Sequence, residues 1–148
     1  MENRNLEHWF LDKQGKLLAW REWRSQLSAM DTASALQEAA TWWKFVPLVN
    51  KTIDPWRMET WPNPWELISN GSFCASAQGL GIFYSLVLSG IDCKLVLAVV
   101  DQSPRLMVLL SDNKLLNYYD GEIVDMDFVN LQILQTWAPS DLARLVKV

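Results

Sequence analysis

Apolar positions recur at helical spacing along the first third of the chain and at alternate positions along its last third. Trp20, Trp23, Leu27 and Met30 return every three or four residues, with Arg21, Glu22, Arg24 and Gln26 on the opposite side, which predicts a helix over 20–30. Asp31 is placed to cap a second helix over Thr32–Phe45, with Leu36, Ala39, Ala40 and Trp43 facing inward and Pro47 stopping it. Neither helix can bury its stripe alone, so the two read as an αα-hairpin. Upstream, the apolar run His8-Trp9-Phe10-Leu11 ends in Asp12-Lys13-Gln14-Gly15-Lys16, a turn signal, before Leu17 to Trp20 resumes it. Two short strands or an extended arm fit that piece.

The middle of the chain is stiff. Pro55, Pro62 and Pro64 alternate with Trp56, Trp61 and Trp65, and proline disfavours helix in the residue before it, so this approach is extended and pressed onto a core. Pro64 opens a short helix that Asn70-Gly71 closes. Ser72 is placed to cap a long helix over Phe73–Ser89, apolar nearly all round and hence central, with Gly90 just past its end. Gly79 and Gly81 inside it cost roughly 1 kcal/mol each against Ala, which close approach of a neighbour would explain. Beyond Gly90 the period becomes two. Strands are predicted over Asp92–Val100, Pro104–Leu110, Lys114–Tyr119 and Glu122–Asp127, with turns at Asp112-Asn113 and Asp120-Gly121. An amphipathic helix near Pro139-Ser140-Asp141, with Leu142, Leu145 and Val146 inward, completes the chain. The expectation is an α+β fold: a helical hairpin, a central helix bearing Cys74 on an antiparallel meander, and a C-terminal helix. It forms one domain over 1–148, divided as 1–53, a core over 54–127, and 128–148.

Composition narrows the function. The chain has 148 residues, half of them hydrophobic and nine of them Trp, as in a packed globule. A net charge of −4 and scattered Lys and Arg argue against phosphate-backbone binding, so no nucleic-acid partner is expected. The N-terminal residues Met1 to His8 lack the apolar segment of a secretory leader. The uncharged stretch Leu67–Ile91 is long enough to span a membrane, but its Ser, Asn and Gln residues favour a buried helix, and no membrane partner is expected. Two cysteines and one histidine give neither a disulfide framework nor a conventional zinc site, and no cofactor or metal is implied. Scattered carboxylates give no glycosidase pair, and Gly79-x-Gly81 lacks the strand and lysine of a phosphate loop.

Cys74 carries the chemical possibility. A thiol in the first turn of a helix sits near partial positive charge, which lowers its pKa. Structural, redox-reactive and catalytic roles are all open to it. Gly71-Ser72-Phe73-Cys74-Ala75-Ser76-Ala77, the long helix, Ser89-Gly90-Ile91 and the following strand resemble the core of the transglutaminase-like superfamily of papain-like cysteine enzymes, over about residues 60–121. The resemblance implies Cys74 as nucleophile, a His on the second strand as base and an Asp that orients it. Counting back from the Asp112-Asn113 turn puts the His position at about Arg105, and the Asp position falls near Tyr119 or Asp120. Arginine cannot accept a proton. His8 is the sole histidine and would have to fold back to serve Cys74.

The pattern Trp20-x-x-Trp23, Trp42-Trp43, Pro47-x-x-Asn50 and Trp61-Pro62-Asn63-Pro64-Trp65-Glu66-Leu67-Ile68 is similar to a group of small proteins from contractile-tailed bacteriophages. That resemblance implies a non-catalytic structural or assembly component of the virion, in tail, baseplate or neck, made in the host cytoplasm. Its partners would be other virion proteins and further copies of itself, with Trp9, Trp20, Trp42 and Trp56 as interface anchors, since Trp is enriched among hot spots. The alternative is a cysteine acyl-transferase or amide hydrolase using Cys74, with His8, Asp92 or Asp120 assisting.

Overall fold

A computed structural model describes residues 7–146. Residues 1–6, read above for a leader, and 147–148 lie outside the described residues.

A 3-10 turn over Glu7–Phe10 leads into α1 (Lys13–Ser28), followed by α2 (Thr32–Lys44), α3 (Pro64–Asn70) and α4 (Ala75–Leu88). Strands β1 (Lys94–Val100), β2 (Ser103–Leu109), β3 (Lys114–Leu116), β4 (Ile123–Asp125) and β5 (Gln132–Trp137) follow, then a 3-10 turn and the short α5 (Ala143–Val146). The α+β expectation is borne out. The strands form one antiparallel sheet in the order β4-β3-β2-β1-β5, with α4 laid across its inner face against β1 and β2.

Local chemistry explains most boundaries. The Asp31 carboxylate accepts from the Ser34 N–H at 2.7 Å and starts α2. Asn63 and Glu66 form a reciprocal capping box at α3, whose end Gly71 closes at φ +72°. The strands or arm expected over 8–20 are instead helical. The Asp12 side chain accepts from the Gly15 N–H at 2.8 Å, so the supposed turn is an N-cap and α1 begins seven residues earlier than its apolar period suggests. The start of α4 also differs. Phe73 bridges to Leu48 instead of entering the helix: its N–H donates to the Pro47 carbonyl and its own carbonyl accepts from Val49. Cys74 is therefore the N-cap residue of α4, and Ser72 does not cap it.

The core lies between α4, the flanking helices and the inner sheet face. Leu95, Leu97, Leu106, Val108 and Leu116 point that way, alternating with Val96, Ala98, Met107 and Leu115 on the outer face. A Cβ on Gly79 would run into the Leu106 carbonyl and one on Gly81 into the Trp43 ring, which is the close approach the sequence implied. The tryptophans form the other half of the core. Trp23 stacks on Trp42 at 4.3 Å, Trp42 meets Trp43 edge-on at 5.2 Å, and Trp9 packs on Trp42 and Phe73. Trp20 and Trp43 both donate their indole N–H to the Ser85 hydroxyl at 3.1 Å, and that hydroxyl donates to the Gly81 carbonyl.

The strand β5 was not anticipated. The chain leaves β4 at one edge and joins β1 at the other, so residues 126–131 must cross the outer face. Four strand spacings of about 4.8 Å make roughly 19 Å, and seven residue steps reach at most about 25 Å, so the crossing is short. Met126, Val129 and Leu131 pack beneath it on Val96, Ala98, Met107 and Leu115, which are fully buried.

Candidate functional site

Cys74 is held where three segments converge. The Phe73 bridge fixes its backbone, α4 begins at the next residue, and the loop carrying Thr52 folds over it. The Thr52 hydroxyl donates to the Cys74 Sγ at 3.3 Å and accepts from the Cys74 N–H at 3.2 Å. Thr52 was not anticipated; it lies 22 residues upstream in an irregular stretch, and no periodicity marks it. The thiol is half-buried rather than sealed, and it opens into a pocket of about 280 Å³ lined by Lys51, Ile53, Pro55, Trp56, Ser76 and Pro104. Burial raises the thiol pKa, but hydrogen bonds from the Thr52 hydroxyl and from the backbone of Thr52, Ala77 and Ile53 outweigh it, and the net direction is downward. Cys93 behaves oppositely: burial, and then Asp92, push it up to about 12. It is an inert core thiol.

The expected base position moves by one residue. Leu106 and Val108 face α4, so alternation turns Pro104 to the same side, and Pro104 lines the Cys74 pocket. Arg105 points to the other face, where it lines a separate pocket with Asp101, Tyr118, Tyr119 and Asp120. Asp120 and Tyr119 are therefore not at the thiol. The residue that follows β3 on the inner face is Asn117, whose amide donates to the Ala75 carbonyl at 2.8 Å and the Leu106 carbonyl at 2.9 Å. It ties the start of α4 to β2 and supplies no proton acceptor to Cys74. Asp92 lies past the far end of α4, a helix of 14 residues and thus about 21 Å long.

His8 does not reach the pocket either. It stacks on Trp42 at 5.0 Å and tilts against Trp9 at 4.4 Å, with its Nε2 buried and without a hydrogen-bond partner among the described residues. Desolvation pushes its pKa down to about 4. Among the described residues, then, no imidazole or carboxylate lines the Cys74 pocket. Of the four tryptophans expected as anchors, Trp9, Trp20 and Trp42 are 6, 1 and 1% exposed and belong to the core. Their rings are consumed by one another and by α4. Trp56, by contrast, is 58% exposed at the pocket rim.

Among the described residues no helix is long and apolar enough to cross a membrane, and no three His, Cys, Asp or Glu residues are grouped to hold a metal ion. No family model matches the chain, and no curated protein matches its sequence. Among solved structures, LapG of Legionella pneumophila superposes with a TM-score of 0.70 at 13% identity, covering 91% of this chain and 88% of that one. The likeness lies in the fold: the two chains share one α+β layout over nearly the whole length of each.

Proposed function

We propose that this protein is a non-catalytic protein–protein interaction module on a transglutaminase-like fold, an assembly component of a contractile-tailed bacteriophage particle. The observation that carries the non-catalytic part is Pro104, which occupies the strand position facing Cys74. A thiol attacking an amide must lose its proton, and the leaving amine must gain one. Proline does neither, Thr52 already donates to the sulfur, and Lys51 is a donor only. A thiolate could be stabilised here, but no side chain lining the pocket can accept the thiol's proton and hand it on to the leaving amine. The placement in a virion rests on the Trp- and Pro-rich pattern running from Trp20 to Ile68. Trp56, Leu48 and Val49 are each exposed apolar side chains, in keeping with a role in contact.

The test has two arms. Purified protein is incubated with an activated ester and with a glutamine peptide plus an alkylamine, beside Cys74→Ala. Equal product with both proteins is expected; turnover that requires Cys74 would overturn the non-catalytic reading. Quantitative mass spectrometry of purified particles of the phage encoding the chain should find it at a fixed copy number, and its absence would overturn the assembly role.

A further inference from the structure

The two edges of the sheet are treated differently. At one edge β4 has only three residues, ends on Asp125, and is covered by α2, where the Gln37 side chain donates to the Gly121 carbonyl. Short length, charge and cover are the usual defences of a sheet edge. At the other edge β5 has six residues, Gln132-Ile133-Leu134-Gln135-Thr136-Trp137, with no charge and no proline. The uncharged stretch continues on both sides, from Phe128 to Ser140. Unlike the uncharged stretch inside α4, this one faces solvent: Gln132, Leu134, Gln135 and Thr136 are all exposed, Leu134 by 42%, and Phe128 before it by 86%. Its one guard is a bulge in the pairing with β1 between Leu97 and Ala98, which leaves Leu134 outside the regular register.

We propose that the free edge of β5 is a homodimerisation surface, taken by β5 of a second copy running antiparallel to give one sheet of twice the width. The proposal names a surface for the self-association considered above and stands whether or not Cys74 is chemically active. The occupant follows from charge. The chain carries a net charge of −4, so two copies repel over most of their surfaces, yet 13 consecutive residues here bring no charge to the contact. A strand free of charge is complementary to itself in an antiparallel two-fold pairing, where no like charges are set opposite each other. Centred between Leu134 and Gln135, the pairing sets Gln132 opposite Trp137, Ile133 opposite Thr136 and Leu134 opposite Gln135. Backbone hydrogen bonds supply the attraction, and the pattern of Gln, Thr and Leu sets the register.

The test is sedimentation equilibrium of the full chain over a concentration series, with amide hydrogen exchange read at 132–137. The comparison is the double variant Leu134→Lys/Thr136→Lys, both positions being exposed, with circular dichroism to verify its fold. The expected wild-type result is a monomer–dimer equilibrium in which exchange at 132–137 slows with concentration. In the variant, association should be at least tenfold weaker, so that at least tenfold more protein is needed to half-populate the dimer. If the variant misfolds, Gln135→Lys alone serves the same comparison. A wild type that stays monomeric at several hundred micromolar, a dimer untouched by the lysines, or protection appearing elsewhere would each overturn the proposal. So would concentration-independent exchange at 132–137 that slows only when a different protein is added.

Discussion

His8 provides a measurement that separates a core residue from a catalytic base. The imidazole is wedged between Trp9 and Trp42 with Nε2 unpartnered, and its pKa falls from 6.5 to about 4. Protonation is thus easier in the unfolded chain, which binds more protons than the folded one between those two values. Stability contributed by neutral His8 is present above pH 6.5 and is lost as the pH falls toward 4. At 1.36 kcal/mol per tenfold change, the full loss is about 3 kcal/mol, and about 2 kcal/mol of it has gone by pH 5. Urea unfolding at pH 7.5 and at pH 5.0 measures it, with His8→Phe as the control that keeps a ring and removes the titration. His8 is the sole histidine, so the wild type should lose about 2 kcal/mol more than the variant over this interval. Equal losses, or an imidazole that titrates near 6.5 by NMR in the folded protein, would refute the buried placement and return His8 to the set of available bases.

Other substitutions probe the site and its support. Thr52→Val removes the donor to Sγ and should raise the Cys74 pKa. A charge-assisted hydrogen bond of about 1.5 kcal/mol changes the thiolate fraction about tenfold, and the gain in intrinsic nucleophilicity offsets part of this, so iodoacetamide alkylation at pH 7 should slow about threefold. An unchanged rate–pH profile would deny Thr52 that role. Pro104→His should place an imidazole in the pocket and make Cys74 alkylation rise through pH 6–7; the same profile as wild type would show that position 104 does not face the sulfur. Ser85→Ala leaves two buried indole N–H groups without an acceptor and should cost about 2–4 kcal/mol by urea unfolding, whereas a loss under 0.5 kcal/mol would mean the bonds are replaced. Gly79→Ala is a test of sign: helix propensity alone favours it by about 1 kcal/mol, while collision with the Leu106 carbonyl should make it destabilising.

The helical half of the fold was legible where chemistry is local. Asp31, Pro64 and Gly71 mark their helix ends because a cap, a fixed φ and a left-handed residue act within a few positions. The same local reading misjudged Asp12 to Lys16, since a carboxylate accepting from an N–H three residues on makes either a turn or a helix cap. What decides is whether Leu17 and Trp20 find a surface to pack on, and that surface comes from α3 and α4, far along the chain. The strand β5 was illegible for a related reason. Its bulge at Leu134 breaks the two-residue period, and its pairing partner β1 lies more than thirty residues away. Periodicity likewise puts Trp20 on the apolar stripe of its helix, but it cannot say whether that ring, or those of Trp9 and Trp42, is buried by its own chain or by another.

At the site, the thiol was legible and its surroundings were not. Cys74 announces itself through Gly71 and the long apolar run, both local signals, whereas every group that decides its chemistry comes from elsewhere. Thr52 arrives from a loop with no pattern, and Pro104 arrives from a strand whose register was misjudged by one. In a strand that single step exchanges the two faces, so Arg105, expected beside the sulfur, lies instead on the far side of the sheet. Either identity argues against a proton acceptor, but they make different sites. Arginine would have set a cation on the sulfur; proline leaves a small apolar wall, and the thiol's pKa falls through hydrogen bonds alone. What remains is a half-buried thiol at the start of α4 and an open pocket with the exposed Trp56 at its rim, and among the described residues no imidazole or carboxylate lines it. On the non-catalytic reading proposed above, the pocket holds a side chain of a partner, with α4 and the tryptophan cluster as its rigid backing.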